Sequence, residues 1–307
     1  MIQVPRELAA FHDNFYPGTG REWIAKLPKL AASYLERWQL TLDGKPMHGM
    51  VGLVLPVRRA DGTPAALKLQ PIDEEHLGEG TALRVWDGQG AARLLDEAEE
   101  ANSSMLLLER LDEDRPLSCM PDITQAVQVI SELLMRLNAH QAPPEIRRLS
   151  DVIAKMLEYL PEALTVLTDQ EERRMMQTWA DIVSEVAQEP GDRLLHWDLH
   201  YDNVLAAERE PWLAIDPKPL AGDPGFELLP ALDNRWEELV ATGDVARGVR
   251  RRFDQMTEVL ELDRQRAAGW SIARVLQNSL WDTEDGRPLN DVQIAIAKSL
   301  LWPTSRD

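Results

Sequence analysis

The sequence predicts a mixed α+β fold in which a small β-rich lobe with one helix precedes a larger helical lobe. Extended runs at 52–58 (GLVLPVR) and 64–70 (PAALKLQ) are joined through Asp61-Gly62, a dipeptide that strongly favours a β-hairpin. From residue 122 onwards the apolar spacing becomes helical, apart from a short strand-rich insert at 193–216. We therefore predict two lobes, 1–110 and 111–307, with a ligand cleft between them.

The remaining elements follow in chain order. Residues 1–45 form a lead-in with helical stretches, and a helix is expected over Glu74–Trp86, before a loop with Gly88 and Gly90. A buried strand, MLLLER, follows at 105–110. Three runs with helical spacing come next, at 122–140, 151–160 and 171–187. Pro190-Gly191 then ends the helical region that precedes the insert.

Composition excludes several classes of protein. The chain has 307 residues, 44% of them hydrophobic and 28% charged, as in an ordinary globular protein. It contains no apolar run of about 18 residues, so we expect no membrane span. Acidic residues near the N-terminus do not fit a signal peptide. A single cysteine, Cys119, excludes an internal disulfide and suits a reducing cytoplasm.

The charge is strongly acidic and unevenly distributed. Fifty-two Asp and Glu residues against 33 Lys and Arg residues give a net charge of −19, which argues against nucleic acid or an anionic membrane as a partner. Residues 111–307 alone carry 36 acidic and 21 basic side chains, a net charge of −15. This excess serves solubility, or it indicates that the second lobe binds a cation. Nothing in the sequence indicates an obligate protein partner.

One segment carries the pattern of phosphoryl transfer. Asp198 and Asn203 lie in the run HWDLHYDN at 196–203 with the spacing D-x-x-x-x-N, and Asp216 follows after a predicted hairpin. Nucleotide kinases use such a loop, with a later Asp, to accept the proton of a hydroxyl and to hold Mg²⁺ on the phosphates. The pattern predicts a kinase that uses ATP and Mg²⁺. Asp-Pro-Lys at 216–218, in place of Asp-Phe-Gly, argues against a protein substrate.

A zinc site is the competing interpretation of the same segment. His196, Asp198 and His200 alternate along the chain, and imidazole and carboxylate groups suit zinc. No fourth ligand lies at a helpful spacing, however, and zinc leaves Asn203 and Asp216 unexplained. We therefore expect His196 to support the loop by hydrogen bonding and His200 to be an ordinary loop residue.

The first lobe supplies candidate nucleotide-binding residues. Lys68 shares a strand face with Ala66 and Gln70 and lies between a hairpin and a helix, where it can meet phosphates. Glu79, with Glu75 as the second choice, is its expected partner. Residues 48–52 (HGMVG) are the expected phosphate-covering loop, with Gly49 as the functional glycine. At the interlobe connection, the backbone carbonyl of Glu109 and the amide of Leu111 are expected to bind adenine.

With these residues placed, the chain resembles the aminoglycoside phosphotransferases, and among them the streptomycin 6-kinases, over nearly its whole length. The resemblance lies in four long runs, at 54–70, 105–117, 189–234 and 267–286. It implies a protein-kinase-like two-lobed fold and transfer of the ATP γ-phosphoryl group to a streptidine-ring hydroxyl of streptomycin, which inactivates the antibiotic. It also implies that Asp198 is the catalytic base, Asn203 and Asp216 are Mg²⁺ ligands, and Lys68 binds phosphate. Met50-Val51-Gly52 departs from a typical glycine-rich loop.

Streptomycin bears two guanidinium groups and an amine, so its site is expected to be acidic and aromatic. Two stretches of the second lobe, 227–238 and 281–285, have this composition. The candidate substrate residues in them are Glu227, Asp233, Trp236, Glu237, Trp281 and Asp282.

Two other functions remain open at this point. One is a kinase of the same fold that acts on another aminoglycoside or an amino sugar. The other is a nucleotide-binding regulator with a dead catalytic site, which the presence of Lys68, Asp198, Asn203 and Asp216 disfavours.

Overall fold

Alternating apolar residues in the N-terminal part of the chain form an antiparallel sheet, one face of which packs against two N-terminal helices. The structure is a computed structural model that describes residues 2–16, 18–100 and 102–301. It divides into two compact units, Met1–Asp112 and Glu113–Asp307. The first unit contains, in chain order, α1 (Arg6–Phe15), α2 (Thr19–Arg37), β1 (Thr41–Leu42), β2 (Met47–His48), β3 (Leu53–Arg58), β4 (Pro64–Pro71), α3 (Glu79–Trp86), β5 (Leu94–Glu100) and β6 (Ser103–Glu109).

The sheet of the first unit has the strand order β1-β3-β4-β6-β5, and β2 pairs with β3. The predicted hairpin is confirmed as β3–β4, with Gly62 at a φ of 85° and the Asp61 carboxylate accepting a hydrogen bond from Thr63 N at 2.9 Å. One face of the sheet is apolar and packs with residues of α1 and α2 in a core. Its fully buried members include Leu8, Leu27, Ala31, Leu53, Leu55, Val57, Leu67, Leu69 and Met105.

Two expectations for the first unit need correction. The helix expected over Glu74–Trp86 begins only at Glu79, because Asp73 accepts hydrogen bonds from the amides of Glu75 and His76 in a turn, and Gly78 has a φ of 91°. The edge strand β5 was not predicted. Its sequence, LLDEAEE, is rich in acidic side chains, which suit an exposed sheet edge but do not show a strand pattern.

The second unit is mainly helical, as predicted. Its elements are β7 (Asp112–Pro116), α4 (Ile123–Leu137), α5 (Leu149–Val166), α6 (Gln170–Val186), β8 (Arg193–Leu195), β9 (Val204–Ala206), β10 (Trp212–Ala214), β11 (Leu220–Gly222), α7 (Leu229–Asp233), α8 (Trp236–Ala241), α9 (Val245–Val259), α10 (Arg264–Glu284) and α11 (Asp291–Leu301). Helix α10 is buried along most of its length and packs against α5, α6 and α11. No helix in the described part of the chain is both long and apolar enough to cross a membrane.

Two antiparallel strand pairs hold the loops of the predicted motif. β9 pairs with β10, and β8 pairs with β11. The loop 196–203 therefore runs between β8 and β9, and the loop 215–219 runs between β10 and β11. Both loops emerge from the same strand framework, which brings distant parts of the sequence together.

Candidate active site

In the first unit, Lys68 and Glu79 form a buried ion pair. Lys68 Nζ lies 2.8 Å from both carboxylate oxygens of Glu79, and the two side chains are only 8% and 1% exposed. Gln70, on the same strand face, donates a hydrogen bond to Glu79 Oε2 at 2.5 Å. The preferred partner of Lys68 is thus confirmed, and Glu75 lies in the preceding turn. A lysine held in this way is oriented before any phosphate arrives.

The predicted phosphate-covering loop is a tight turn between β2 and β3. Gly49 N donates to Gly52 O at 3.0 Å, and a side chain at Gly52 would lie 3.1 Å from the carbonyl of Leu69. His12, on α1, donates through Nε2 to the carbonyl of Val51 at 2.8 Å, and its ring stacks on Trp23. Helix α1 therefore anchors this loop, a contact that the sequence did not indicate.

Glu109 and Leu111 lie at the end of β6. Glu109 N donates to Arg93 O at 2.9 Å, and the Glu109 carboxylate accepts from Arg93 N at 3.1 Å. These two bonds secure the strand end at the bulge in β5. The adenine-binding role of the Glu109 carbonyl and the Leu111 amide stays a prediction.

In the second unit, main-chain hydrogen bonds align the two motif loops. Lys218 N donates to His196 O at 3.0 Å, and Ile215 N donates to Asn203 O at 2.9 Å. Asn203 Nδ2 donates to the carbonyl of Asp198 at 2.9 Å, which fixes the spacing within the loop 196–203. Asp216, with a φ of 59°, directly follows Ile215. Asp198, Asn203 and Asp216 are therefore brought together, as predicted.

His196 stabilises the loop 196–203 by hydrogen bonding, as expected. Its Nε2 donates to Ile215 O at 2.9 Å, and its Nδ1 accepts from Asp198 N at 3.4 Å, so both ring nitrogens are used by the main chain. Burial lowers the pKa of His196 to about 4, and the ring is therefore neutral. His200 Nδ1 accepts from Asp202 N at 3.2 Å. Among the described residues no group of three His, Cys, Asp or Glu side chains is arranged to hold a metal, so the zinc interpretation loses its support.

Asn203 and Asp216 fit a magnesium ion better than zinc. With the Asn203 amide nitrogen bonded within the loop, the side-chain oxygen accepts no hydrogen bond from the described residues. An amide oxygen and the Asp216 carboxylate are hard oxygen donors, which Mg²⁺ prefers, with further ligands coming from phosphates and water.

The expectation that Glu227 contacts the substrate is wrong. It is fully buried in the turn Pro224–Glu227, and its Oε1 accepts a hydrogen bond from Trp197 N at 2.6 Å. Trp197 has a φ of 64°, a region that a bulky residue rarely adopts. The guanidinium carbons of Arg147 and Arg274 lie 4.0 and 4.2 Å from the centre of its ring. Glu227 thus holds the strained residue next to Asp198, and burial raises its pKa to about 7.

Asp198 opens into a cavity of about 190 Å³ within the second unit. Asp233 also lines the cavity, where it accepts a hydrogen bond from Gln293 at 3.0 Å, and burial raises its pKa to about 6. The cavity wall is mostly polar and comes from the loop 196–203, α7 and α10. Its lining residues are Asp198, His200, Leu229, Pro230, Asp233, Asn234, Arg274 and Asn278.

Asp233 is the one predicted substrate residue that lines this cavity. Trp236 and Glu237 lie on α8, half-buried and exposed respectively. Trp281 is 36% exposed and meets the Trp197 ring edge-on at 6.3 Å. Asp282 pairs with Arg287 at 3.1 Å. Substrate contacts of these four residues stay predictions.

Comparison with known proteins supports the kinase interpretation. A profile described as "Aminoglycoside/hydroxyurea antibiotic resistance kinase" matches residues 37–286. Streptomycin 6-kinases of Streptomyces griseus and Streptomyces glaucescens are 54% and 52% identical to this chain, over 98% of it and 98% and 97% of their own lengths. A hydroxyurea phosphotransferase of Kitasatospora aureofaciens is 51% identical, over 98% of this chain and 86% of its own.

A likeness among solved structures identifies the fold. The macrolide 2′-phosphotransferase of Brachybacterium faecium superimposes with a TM-score of 0.55 at 16% identity, covering 91% of this chain and 99% of its own. This confirms the protein-kinase-like α+β fold. Membership of a kinase family implies that ATP is the phosphoryl donor. With the profile matching most of the chain and relatives identical at half of their positions, this protein belongs to the aminoglycoside/hydroxyurea antibiotic resistance kinases, phosphotransferases that act on a hydroxyl group.

Proposed function

We propose that this protein transfers the γ-phosphoryl group of ATP, with Mg²⁺, to a hydroxyl of the streptidine ring of streptomycin and so inactivates the antibiotic. The observation that carries the proposal is that Asp198 shares a cavity with a second, partly buried carboxylate, Asp233. The high identity to two streptomycin 6-kinases supports the choice of acceptor. A cytoplasmic site of action is part of the proposal, because ATP is available there.

The residues of the chain divide the reaction between them. Asp198 orients the acceptor hydroxyl and takes its proton as the new P–O bond forms. Asn203 and Asp216 would hold Mg²⁺, which neutralises charge on the phosphates when bound. Lys68, oriented by Glu79, binds the phosphates, and the turn at Gly49 covers them. His196 and Glu227 keep the loop of Asp198 in place through the main chain.

Acceptor recognition follows from charge. A guanidinium group binds a carboxylate through two parallel hydrogen bonds, and partial desolvation strengthens that pair. The cavity offers two carboxylates, Asp198 and Asp233, against one guanidinium, Arg274, and Arg274 lies over the rings of Trp197 and Phe226. Asp233 is therefore the residue we assign to a cationic group of the antibiotic.

The first test is a product analysis by mass spectrometry. The wild-type protein is incubated with ATP, Mg²⁺ and one acceptor at a time. The four acceptors are streptomycin, kanamycin, glucosamine and hydroxyurea. We expect one added phosphoryl group on streptomycin. Phosphate on kanamycin or glucosamine but none on streptomycin would leave a kinase with a different substrate. No transfer to any acceptor, together with intact ATP binding, would support a catalytically dead regulator.

Hydroxyurea is the second candidate acceptor, because a relative of 51% identity is named for it. It is small and uncharged, so it needs no carboxylate partner in the cavity. Asp233→Asn separates the two acceptors. The substitution should raise KM for streptomycin by about 10-fold or more, as expected for losing a charge-assisted pair, and leave KM for hydroxyurea and ATP nearly unchanged. Equal effects on both acceptors would remove Asp233 from cation recognition.

A further inference from the structure

Lys218 lies beside Asp198, in the loop that also carries Asp216. Its Nζ is 3.2 Å from Asp198 Oδ2, and the two side chains are 22% and 24% exposed. The residue is close to the predicted base although 20 positions separate them in the sequence. The Lys218 ammonium therefore lies next to the carboxylate that takes the proton from the substrate hydroxyl.

The backbone around Lys218 is rigid. Pro217 and Pro219 flank it and fix the φ angle on either side. The Lys218 amide donates to His196 O at 3.0 Å, and Arg147 donates to the carbonyl of Pro219 at 3.3 Å. A flexible surface ion pair needs no such support and contributes little. The Lys218 ammonium is instead positioned on the same framework as Asp198, Asn203 and Asp216.

We propose, on the basis of the function proposed above, that Lys218 is a further catalytic residue that stabilises the transferring phosphoryl group. In the reaction the bond between the γ-phosphorus and the bridging oxygen breaks, and its electron pair stays on the ADP oxygen. The acceptor oxygen forms the new bond to phosphorus, and its proton passes to Asp198. Lys218 keeps its own proton throughout and donates hydrogen bonds to the γ-phosphoryl oxygens.

The place of Lys218 beside Asp198 favours stabilisation of the transition state over that of the bound substrates. Asp198 orients the hydroxyl that attacks the γ-phosphorus, so the Lys218 ammonium lies near the point where the new P–O bond forms. The phosphoryl group approaches this point only as it moves from ADP to the acceptor, and the ammonium therefore donates most strongly to its oxygens during transfer. Interactions that strengthen only along the reaction raise kcat rather than substrate affinity. Because the transition state of phosphoryl transfer is loose, proton transfer is late, and a cation beside the base impedes it little.

The alternative is that Lys218 only positions Asp198. The two roles differ in the slow transfer of phosphate from ATP to water when no acceptor is present. A cation that stabilises the phosphoryl group acts on transfer to water and to the antibiotic alike. A residue that only orients the base for the antibiotic hydroxyl acts on transfer to the antibiotic alone.

The test uses Lys218→Ala, Lys218→Met and Lys218→Arg, with Lys298→Ala as the matched control. Lys298 forms an ion pair of the same length, 3.2 Å to Glu171, but on the surface of the second unit. We expect Lys218→Ala and Lys218→Met to lower kcat for streptomycin by about 10²-fold or more, as does removal of one donor to a developing oxyanion, with little change in either KM. Lys218→Arg should recover part of the loss, and Lys298→Ala should match the wild type.

Transfer to water decides between the roles. Hydrolysis of ATP without acceptor should fall by a factor comparable to that for the antibiotic in both neutral variants. Loss of antibiotic transfer with unchanged hydrolysis would overturn the proposal and make Lys218 a positioning residue. Wild-type activity in Lys218→Met would also overturn it. Absence of transfer by the wild type to any acceptor would instead refute the proposed function, so the two failures are distinguishable.

Discussion

The buried carboxyl group of Glu227 makes a quantitative prediction about stability. It is fully buried, accepts a hydrogen bond from Trp197 N, and has its pKa raised by burial from 4.5 to about 7. The perturbation is Glu227→Gln, which keeps the shape of the side chain and a carbonyl oxygen for Trp197 N. The substitution removes the ability of the side chain to ionise.

The sign follows from proton binding in the two states. Between about pH 4.5 and pH 7 the folded protein holds a proton on Glu227 that the unfolded chain has released. The free energy of unfolding therefore falls as pH rises through this range and levels off above the folded-state pKa. A pKa difference of this size corresponds to about 3 kcal/mol, at 1.36 kcal/mol per pKa unit. The Gln variant lacks this loss.

Other buried groups titrate in the same range, so the raw curves do not isolate Glu227. The pKa of His196 is lowered to about 4, and the free energy of unfolding therefore rises with pH between about 4 and 6.5 on its account. Asp233, with a pKa raised to about 6, acts in the opposite direction. Both contributions are common to the wild type and the variant. The difference between the two proteins is therefore the quantity to measure.

The assay is urea unfolding of both proteins at pH 5, 6, 7 and 8, with the free energy in water extrapolated at each pH. We expect the variant to gain about 2–3 kcal/mol relative to the wild type from pH 5 to pH 8. Glu158→Gln, at an exposed position on α5, is the control and should show no such trend. A difference between wild type and Glu227→Gln that is constant across pH would refute the assignment of a raised pKa to Glu227.

Four further predictions concern the reaction. Asp198→Ala should lower kcat by about 10²–10⁴-fold while calorimetry shows ATP binding nearly intact; retention of a tenth of the activity would remove Asp198 as the base. Chelation by EDTA should abolish activity in a phosphorylation assay and Mg²⁺ or Mn²⁺ should restore it, whereas stoichiometric zinc found by metal analysis would revive the zinc interpretation. Glu79→Gln should raise KM for ATP far more than KM for streptomycin, because Lys68 loses its carboxylate partner. Glu109→Ala should barely change KM for ATP in steady-state kinetics, and a large rise would show that its side chain contacts the nucleotide.

Local spacing made the main parts of the site predictable. Asp198, Asn203 and Asp216 are tied to two tight strand connections, so their grouping follows from short-range sequence pattern alone. Lys68 and Glu79 were predictable because a strand face and the start of a helix lie close together in the sequence.

Long-range contacts made the rest unpredictable. His12 reaches Val51 across 39 positions, and Glu227 reaches Trp197 across 30. In both cases the partner is a backbone group, and every residue type can supply such a group. The sequence therefore does not indicate which residue is the partner. Glu227 looked like a substrate residue because its acidic character is visible in the sequence and its burial is not.

The strand framework of the second unit separates chemistry from recognition. The groups assigned to phosphoryl transfer are carried by loops between short strands that are joined to one another through main-chain hydrogen bonds. Much of the remaining cavity wall belongs to α7 and α10, whose side chains take no part in those bonds. We therefore expect substitutions on the two helices, apart from Arg274, which lies over the Trp197 ring, to change the proposed acceptor site more than the loops that hold the reacting groups.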